Sequence, residues 1–144
     1  MKNLVKNLNK EVANFGVLYT KLHSFHWLVT GKQFYRLHQI FEDLYDEVTE
    51  HFDAVAERIL QLDAVPVATL KEFLELATVK EATGKENADE MIQATVDDLV
   101  LVDKELQEIT KQSQELDDEV TADLLIGISA SFQKHVWLLK ALLK

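Results

Sequence analysis

The sequence feature that most constrains the fold is the uninterrupted segment from Phe34 to Leu62. It contains neither proline nor glycine, and its apolar residues recur at the three- and four-residue intervals of a helix. The apolar positions are Leu37, Ile40, Phe41, Leu44, Tyr45, Val48, Phe52, Val55, Ile59 and Leu62. This periodicity predicts one long helix that buries a single stripe of side chains.

The same helix carries two pairs of potential metal ligands, each spaced one turn apart. They are His38 with Glu42 and Asp53 with Glu57. At 100° per residue, all four lie within about one third of the helix circumference. Glu42 and Asp53 nevertheless stand about 16 Å apart along the axis, whereas metal–ligand bonds are about 2 Å long. The two pairs therefore cannot bind one metal ion within one chain.

A second copy of the chain offers a way to unite the two pairs. If the helix meets its own copy antiparallel across a two-fold axis, one pair faces the other pair of the partner, and symmetry creates two identical sites. The alternative is that these are ordinary charged residues on a solvated helix face. Glu57 would then pair with Arg58 or a neighbouring lysine.

Length and composition favour a single all-α domain spanning residues 1–144. The chain has 47% hydrophobic residues, four glycines and one proline, and no segment of note alternates with a period of two. No run of 18 apolar residues occurs and the N-terminal segment is interrupted by charges, so we expect neither a membrane span nor a signal peptide. The absence of cysteine is typical of a cytoplasmic protein.

The charge of the chain argues against a general nucleic-acid-binding surface. The net charge is −10, whereas phosphate contacts require clustered lysine and arginine. Lys2, Lys6 and Lys10 recur every four residues and form a possible basic stripe on the first helix. Such spacing is more typical of a solvated helix face.

The first long helix is predicted to run from about Leu4 to Val29. Thr30-Gly31-Lys32 ends it, because glycine readily adopts the left-handed conformation that follows a helix C-terminus. The short connection to Phe34 makes the first two helices antiparallel neighbours. His26 then lies opposite His38, at the same end of the bundle.

The rest of the chain predicts a short helix and two more long helices. Pro66 ends the second helix region, and Thr69 with Glu72 forms a capping box that opens a short helix through about Leu76. The two remaining long helices span about 87–114, beginning at Asn87, and about 120–142. The connection from Leu62 to Asn87, which we call the crossover, contains about two dozen residues. It is long enough to run back along the bundle, so the second and third long helices can be parallel.

At this point the residues resemble a known family. HSFHW at 23–27, TGKQFYRLHQIFEDLYDEV at 30–48 and DAVAERIL at 53–60, with a short helix in the crossover, resemble the Dps family of miniferritins over nearly the whole chain. The resemblance implies a ferritin-like four-helix bundle with a short extra helix between helices 2 and 3. It also implies a hollow dodecamer built from two-fold dimers, with ferroxidase sites shared across each dimer.

The resemblance assigns ligands residue by residue. His26, His38 and Glu42 match ligands from one subunit, and Asp53 and Glu57 match ligands from the partner. Many members have aspartate where this chain has Glu42. Mixed imidazole and carboxylate ligands suit Fe(II), although Zn(II) would compete on affinity alone.

The activity implied by the resemblance is oxidation of Fe(II), preferably by hydrogen peroxide and otherwise by dioxygen. Ferric mineral would then be stored inside the cage, which protects against oxidative stress. Trp27, next to His26, is a candidate to quench or relay a radical near the site. Its alternative role is that of a core aromatic residue.

Outside the ligand set, the acidic residues Asp118, Glu119 and Asp123 are clustered at the start of the last helix. In the family, acidic residues of this region line three-fold pores that admit Fe(II), and Asp123 is the closest match. Their alternative role is to interact with the positive end of the helix dipole.

The remaining histidines are His23, His51 and His135, and we predict packing or surface roles for them. His51 lies roughly 220° around the second helix from His38, so it is expected to point away from the site and lie at the surface. His23, one turn before His26, is a candidate to support the ligands.

Three other functional classes compete with a ferroxidase cage. A larger ferritin requires Glu-x-x-His pairs, and none occurs in this chain. A cage that mainly binds and compacts DNA would use a mobile basic tail, which we do not expect here because helical periodicity starts by Leu4. A non-catalytic interaction protein with a vestigial metal site is the least favoured, since all five ligand-type residues are retained.

Overall fold

The computed structural model describes residues 1–144 as five helices without strands. They are α1 (Lys2–Leu28), α2 (Phe34–Gln61), α3 (Leu70–Leu76), α4 (Ala88–Glu115) and α5 (Glu119–Leu142). The all-α prediction is confirmed, including the short helix in the crossover. None of the five combines the length and apolar character that a membrane crossing demands.

Helix ends follow the capping signals in the sequence. The Asn87 side chain accepts the backbone N–H of Glu90, and the Glu90 carboxylate accepts that of Asn87 in return. Thr69 caps α3 by accepting the backbone N–H of Glu72. Gly31 adopts a positive φ of 111° in the turn between α1 and α2, a conformation that favours glycine. Short-range side-chain contacts thus mark the N-termini of α3 and α4.

The four long helices form a bundle in which α1 is antiparallel to both α2 and α4. Side-chain contacts between α1 and α4 show their relative direction, because residue numbers rise on α1 while they fall on α4. The contacts join Asn7 with Gln112, Asn14 with Glu105, and Lys21 with Asp98. Because α1 is antiparallel to both α2 and α4, helices α2 and α4 are parallel, as the long crossover requires. The predicted ferritin-like connectivity is confirmed.

A continuous apolar core of 29 residues lies between the helices. On α2, the predicted stripe supplies six fully or nearly fully buried residues: Leu37, Phe41, Leu44, Val48, Val55 and Ile59. Burying each such side chain contributes about 1.5–3 kcal/mol. The stripe fixes the rotation of α2 about its own axis, and therefore fixes which side chains that helix directs away from the core.

The short helix α3 packs closely against α1. A Cβ atom added to Gly16 would lie 2.7 Å from Cδ2 of Phe73, so only glycine permits the observed approach. The Phe73 ring also packs edge-on against Phe52 of α2, with ring centroids 5.5 Å apart. The crossover is therefore held against the bundle rather than looping freely around it.

A buried polar network, which the sequence patterns do not predict, also holds the crossover. The side chain of Asn14 is fully buried. Its amide nitrogen donates to Glu11 and Glu105, each at 3.0 Å. Its amide oxygen accepts the backbone N–H groups of Thr78 at 2.8 Å and Val79 at 3.0 Å. One side chain on α1 therefore links α4 with the segment after α3.

This network makes stability depend on pH through Glu11. Burial, together with the nearby Glu105 carboxylate, raises the pKa of Glu11 from 4.5 to about 9. The folded chain therefore holds a proton that the unfolded chain releases above pH 4.5. The free energy of unfolding falls by up to about 1.4 kcal/mol per pH unit from this group as pH rises towards 9.

We expect Glu11→Gln to remove that slope, because glutamine resembles the protonated carboxyl in shape and charge. Chemical denaturation from pH 5 to pH 8.5 measures the effect, with the variant gaining stability over wild type as pH rises. Glu108→Gln, the same substitution at an exposed position on α4, is the matched control and should keep the wild-type slope. Parallel profiles for Glu11→Gln and wild type would contradict the assignment.

Candidate metal centre

Two histidines from different helices meet at one end of the bundle. His26 lies in the last turn of α1 and His38 in the second turn of α2, brought together by the short turn at Gly31. Their imidazole rings are stacked, with centroids 3.7 Å apart and planes 15° from parallel. His26 is only 7% exposed, whereas His38 is half-buried. The predicted proximity of the two histidines is confirmed.

Reciprocal hydrogen bonds orient the two rings. The Nδ1–H of His26 donates to the backbone carbonyl of His38, and the Nδ1–H of His38 donates to that of His26, both at 2.7 Å. A carbonyl can only accept, so the proton resides on Nδ1 and the lone pair on Nε2. This arrangement is typical of metal-binding histidines, which donate through the second nitrogen to a fixed acceptor.

Glu42 lies on the same helix as His38 and is held by two neighbours. Gln39 donates to Glu42 Oε2 at 3.3 Å, and the Tyr45 hydroxyl donates to Glu42 Oε1 at 3.4 Å. Partial burial, with the negative charge of Glu42, raises the pKa of Tyr45, so this side chain remains a hydroxyl donor. The sequence pattern does not mark Gln39 or Tyr45 as site residues, although both lie one turn or less from Glu42 on its own helix.

Asp53 and Glu57 occupy the opposite half of α2 and are exposed. A hydrogen bond to Asp53 and the charge of that neighbour raise the pKa of Glu57. Arg58, which the surface interpretation would pair with Glu57, instead bonds Asp118 at 3.0 Å. The two carboxylates therefore form a pair that no cation of this chain neutralises.

No set of three histidine, aspartate or glutamate side chains within the chain is arranged to hold a metal ion. The structure unites His26 with His38 and Asp53 with Glu57, but it does not bring Glu42 onto both histidines. That the two pairs combine across two copies of the chain stays a prediction. Each pair, which we call a half-site, offers ligands of a type that binds divalent metals, nitrogen on one side and carboxylate oxygen on the other.

Aromatic residues surround the histidine half-site. Trp27 is 68% exposed, so its alternative role as a core aromatic is wrong for this chain. The Nδ1–H of His23 donates to the Tyr19 carbonyl at 2.7 Å, and the His23 ring stacks on Tyr45 with centroids 3.6 Å apart. Trp27 packs against His23 at 5.4 Å. His23 is therefore a packing residue beside the ligands, as predicted.

The prediction that His51 lies at the surface is wrong. Its ring packs among core aromatic residues, 5.6 Å from Phe132, and its Nε2 lies 3.0 Å from Glu47. His135 and Ser131 of α5 reach the same carboxylate at 3.0 and 2.8 Å. Although burial opposes it, these hydrogen bonds lower the pKa of Glu47. The prediction failed because the face of α2 that points away from His38 packs against α5 rather than facing solvent.

At the start of α5, Asp118 caps the helix and its carboxylate is already engaged. It accepts from the Thr121 backbone at 3.1 Å and from the Arg58 guanidinium at 3.0 Å. Although burial opposes it, these donors lower the pKa of Asp118. Glu119 and Asp123 are exposed. The helix-terminus role is thus observed for Asp118, and the pore role of the three residues stays a prediction.

Comparison with known proteins places this geometry in a class. The sequence matches the family model described as a ferritin-like domain over residues 5–144. Together with the four-helix bundle, this match defines a ferritin-like protein. The chain is also 50% identical over 137 residues to the DNA protection during starvation protein of Brevibacillus brevis, covering 95% of this chain and 92% of that protein. The chain belongs to the Dps family.

Solved structures agree with this membership. A Dps protein from Bacillus brevis superposes with a TM-score of 0.98 at 48% identity, covering 99% of this chain and 96% of that one. The Dps protein of Vibrio cholerae O1 has a TM-score of 0.96 at 33% identity, over 99% of this chain and 90% of that one. It is described as a member of a broad superfamily of ferritin-like diiron-carboxylate proteins.

Proposed function

We propose that this protein is a ferroxidase that oxidises Fe(II), preferably with hydrogen peroxide, at sites shared between two copies of the chain. The observation that carries the proposal is the stacked His26–His38 pair, whose Nδ1 atoms are held by carbonyl groups and whose Nε2 lone pairs remain for metal. Glu42 would complete this half-site.

The partner subunit would supply the other half through its copies of Asp53 and Glu57. Two adjacent carboxylates without a cation favour binding of a divalent metal, and they stabilise the Fe(III) product more strongly than Fe(II) because its charge is higher. The ligand types do not exclude Zn(II), which we expect to compete with Fe(II) for the site.

The surface beside these carboxylates supports docking of a second copy. Asp53 borders an open groove of about 650 Å³ between α2 and the crossover, whose apolar lining includes Pro66 and Val67. The crossover also exposes large apolar side chains, Leu70 at 76% and Leu74 at 55%. Exposed apolar surface of this kind marks interaction sites. A second copy seated here would complete the metal site.

Larger assembly and storage follow from the same proposal. Dimers would assemble into a hollow dodecamer in the cytoplasm, with ferric mineral stored inside and Fe(II) admitted past acidic residues that include Asp123. Oxidation consumes Fe(II) and hydrogen peroxide together. The protein would therefore remove both reactants that generate hydroxyl radicals, which is a protective function against oxidative stress.

Stopped-flow absorbance tests the proposal. Anaerobic protein loaded with Fe(II) is mixed with hydrogen peroxide or with dissolved oxygen, and ferric formation is followed over time. We expect oxidation much faster than in buffer, faster with peroxide than with oxygen, and slowed by prior addition of Zn(II). Rates equal to those of iron in buffer would contradict the ferroxidase function and favour a non-catalytic interaction protein.

DNA protection is a second candidate because the Brevibacillus brevis relative carries that name. Protection by direct DNA binding is disfavoured by the net charge of −10. The basic stripe of Lys2, Lys6 and Lys10 supplies only three charges on α1. Removal of iron and peroxide would protect DNA without contact, so ferroxidation remains the primary function that we propose.

A further inference from the structure

Both carboxylate oxygens of Glu42 are engaged by donors on its own helix. Oε2 accepts a hydrogen bond from the Gln39 amide at 3.3 Å, and Oε1 accepts one from the Tyr45 hydroxyl at 3.4 Å. Gln39 lies three residues before Glu42 and Tyr45 three residues after it, so the two donors flank the carboxylate on the surface of α2. Within the histidine half-site, Glu42 is therefore the proposed ligand whose metal-binding atoms already have partners.

The engaged carboxylate does not join the two histidines. Spacing along α2 puts Glu42 about one turn from His38, yet no set of three potential ligands in the chain is arranged to hold a metal ion. The rings of His26 and His38 are fixed by hydrogen bonds of 2.7 Å to backbone carbonyl groups. The contacts of Glu42 are longer, and hydrogen bonds weaken beyond about 3.2 Å. Of the three ligands, the carboxylate is thus the least tightly held.

Release of Glu42 would leave both of its donors in place. The Gln39 amide also donates to Asp43 Oδ1 at 2.8 Å, which is the shorter of its two contacts. The ring of Tyr45 stacks on His23 of α1 with centroids 3.6 Å apart, and this packing does not involve the hydroxyl. Because neither donor depends on Glu42 for its position, the carboxylate can leave them without disturbing the helix around it.

We propose that Gln39 and Tyr45 are positioning residues that hold Glu42 away from the histidine pair before metal binds. Glu42 then becomes a ligand only by leaving both donors. This inference rests on the proposed metal site of the ferroxidase. Its consequence is that the two hydrogen bonds oppose metal binding, because breaking them is part of the cost of bringing Glu42 to the metal. If Gln39 and Tyr45 instead oriented Glu42 towards the metal, their loss would weaken binding.

Titration with Co(II) tests the proposal without iron oxidation. Co(II) accepts the same nitrogen and oxygen ligands, and its visible spectrum reports their number and geometry. The assembled, metal-free full-length protein is compared with Tyr45→Phe, which keeps the stacked ring, and with Gln39→Met, which keeps a long side chain without the amide. Each variant should bind Co(II) about two- to fivefold more tightly than wild type, because one weak hydrogen bond no longer has to be broken. The spectrum at saturation should not change, since the ligands are the same.

Matched controls make the same chemical changes away from the half-site. Gln93→Met removes an amide that donates to Asp97 four residues later on α4, as Gln39 does to Asp43 on α2. Tyr35→Phe removes the hydroxyl of a tyrosine that is 87% exposed. Both control variants should bind Co(II) with the affinity of wild type.

Repeating the titrations in Glu42→Ala shows whether the two residues act through the carboxylate. With no carboxylate to hold, Tyr45→Phe and Gln39→Met should leave the Co(II) affinity of Glu42→Ala unchanged. A general structural role of Gln39 or Tyr45 would alter affinity in both backgrounds. An effect of the same size with and without Glu42 would therefore contradict the proposal.

The direction of the affinity change separates the remaining outcomes. Weaker Co(II) binding in Tyr45→Phe and Gln39→Met, or affinities equal to that of wild type, would overturn this inference while the proposed metal site stands. His38→Ala provides the reference for the site itself and should lose most of the Co(II) spectrum. If wild type gave no Co(II) spectrum that depends on His38, the proposed metal site would fail, and this inference with it.

Discussion

Mixing two inactive variants should restore about one quarter of the active sites. We expect His38→Ala and Asp53→Ala each to lower the rate of peroxide-dependent Fe(II) oxidation to that of buffer, because each removes a ligand from every site. When the two variants are unfolded, mixed in equal amounts and reassembled, about half of the dimers contain one chain of each kind. In such a dimer one site carries both substitutions and the other carries none.

The restored quarter depends on the two half-sites coming from different chains. Stopped-flow absorbance of the reassembled mixture measures it, with each variant reassembled alone as the baseline. His26→Ala mixed with His38→Ala is the matched control, because both substitutions affect the same half-site and no arrangement of the two chains yields an intact one. Absence of restoration in the first mixture, or equal restoration in both, would contradict a site shared between subunits.

Asn14→Ala should lower the free energy of unfolding by about 3–5 kcal/mol. The substitution removes the donor that separates the Glu11 and Glu105 carboxylates, and it leaves the backbone N–H groups of Thr78 and Val79 without their acceptor. Buried polar groups that lose their partners cost far more than the net gain of the original hydrogen bonds. Thermal unfolding at fixed protein concentration should show a fall in Tm of roughly 10 °C.

Asn7→Ala is the control for this prediction. Asn7 lies two turns earlier on α1 and bonds Gln112 of α4 at 3.0 Å in a partly buried position. Its loss removes one hydrogen bond that water can replace, so the expected cost is at most about 1 kcal/mol. Equal shifts in Tm for the two variants would show that the buried network does not hold the crossover.

The sequence was most informative where a feature depends on neighbouring residues. Helix α2 was predicted at Phe34 to Leu62 and spans Phe34–Gln61. The Asn87–Glu90 and Thr69–Glu72 caps form as predicted, because capping is a contact between residues three apart. The separation of the two ligand pairs along α2 likewise follows from the rise per residue alone.

Prediction failed where the partner lies far away in the chain. His51 was assigned to the surface from its angle on α2, yet its ring packs against the core aromatic Phe132 of α5. The Asn14 network joins residues separated by up to 91 positions, and no local pattern indicates which buried polar groups will meet. A lone glutamate in an apolar stripe, such as Glu11, was the available signal.

By itself, the sequence determined the five helices, their order and the two ligand pairs, because periodicity, caps and helical rise are properties of short segments. Only the tertiary structure decided how the proposed ligands are oriented. The carbonyl groups that hold Nδ1 of His26 and His38 belong to each other's helices, and the Tyr45 hydroxyl meets Glu42 while its ring stacks on a residue of α1. Such contacts exist only once α1 and α2 have packed, since each joins groups whose positions the rest of the bundle defines.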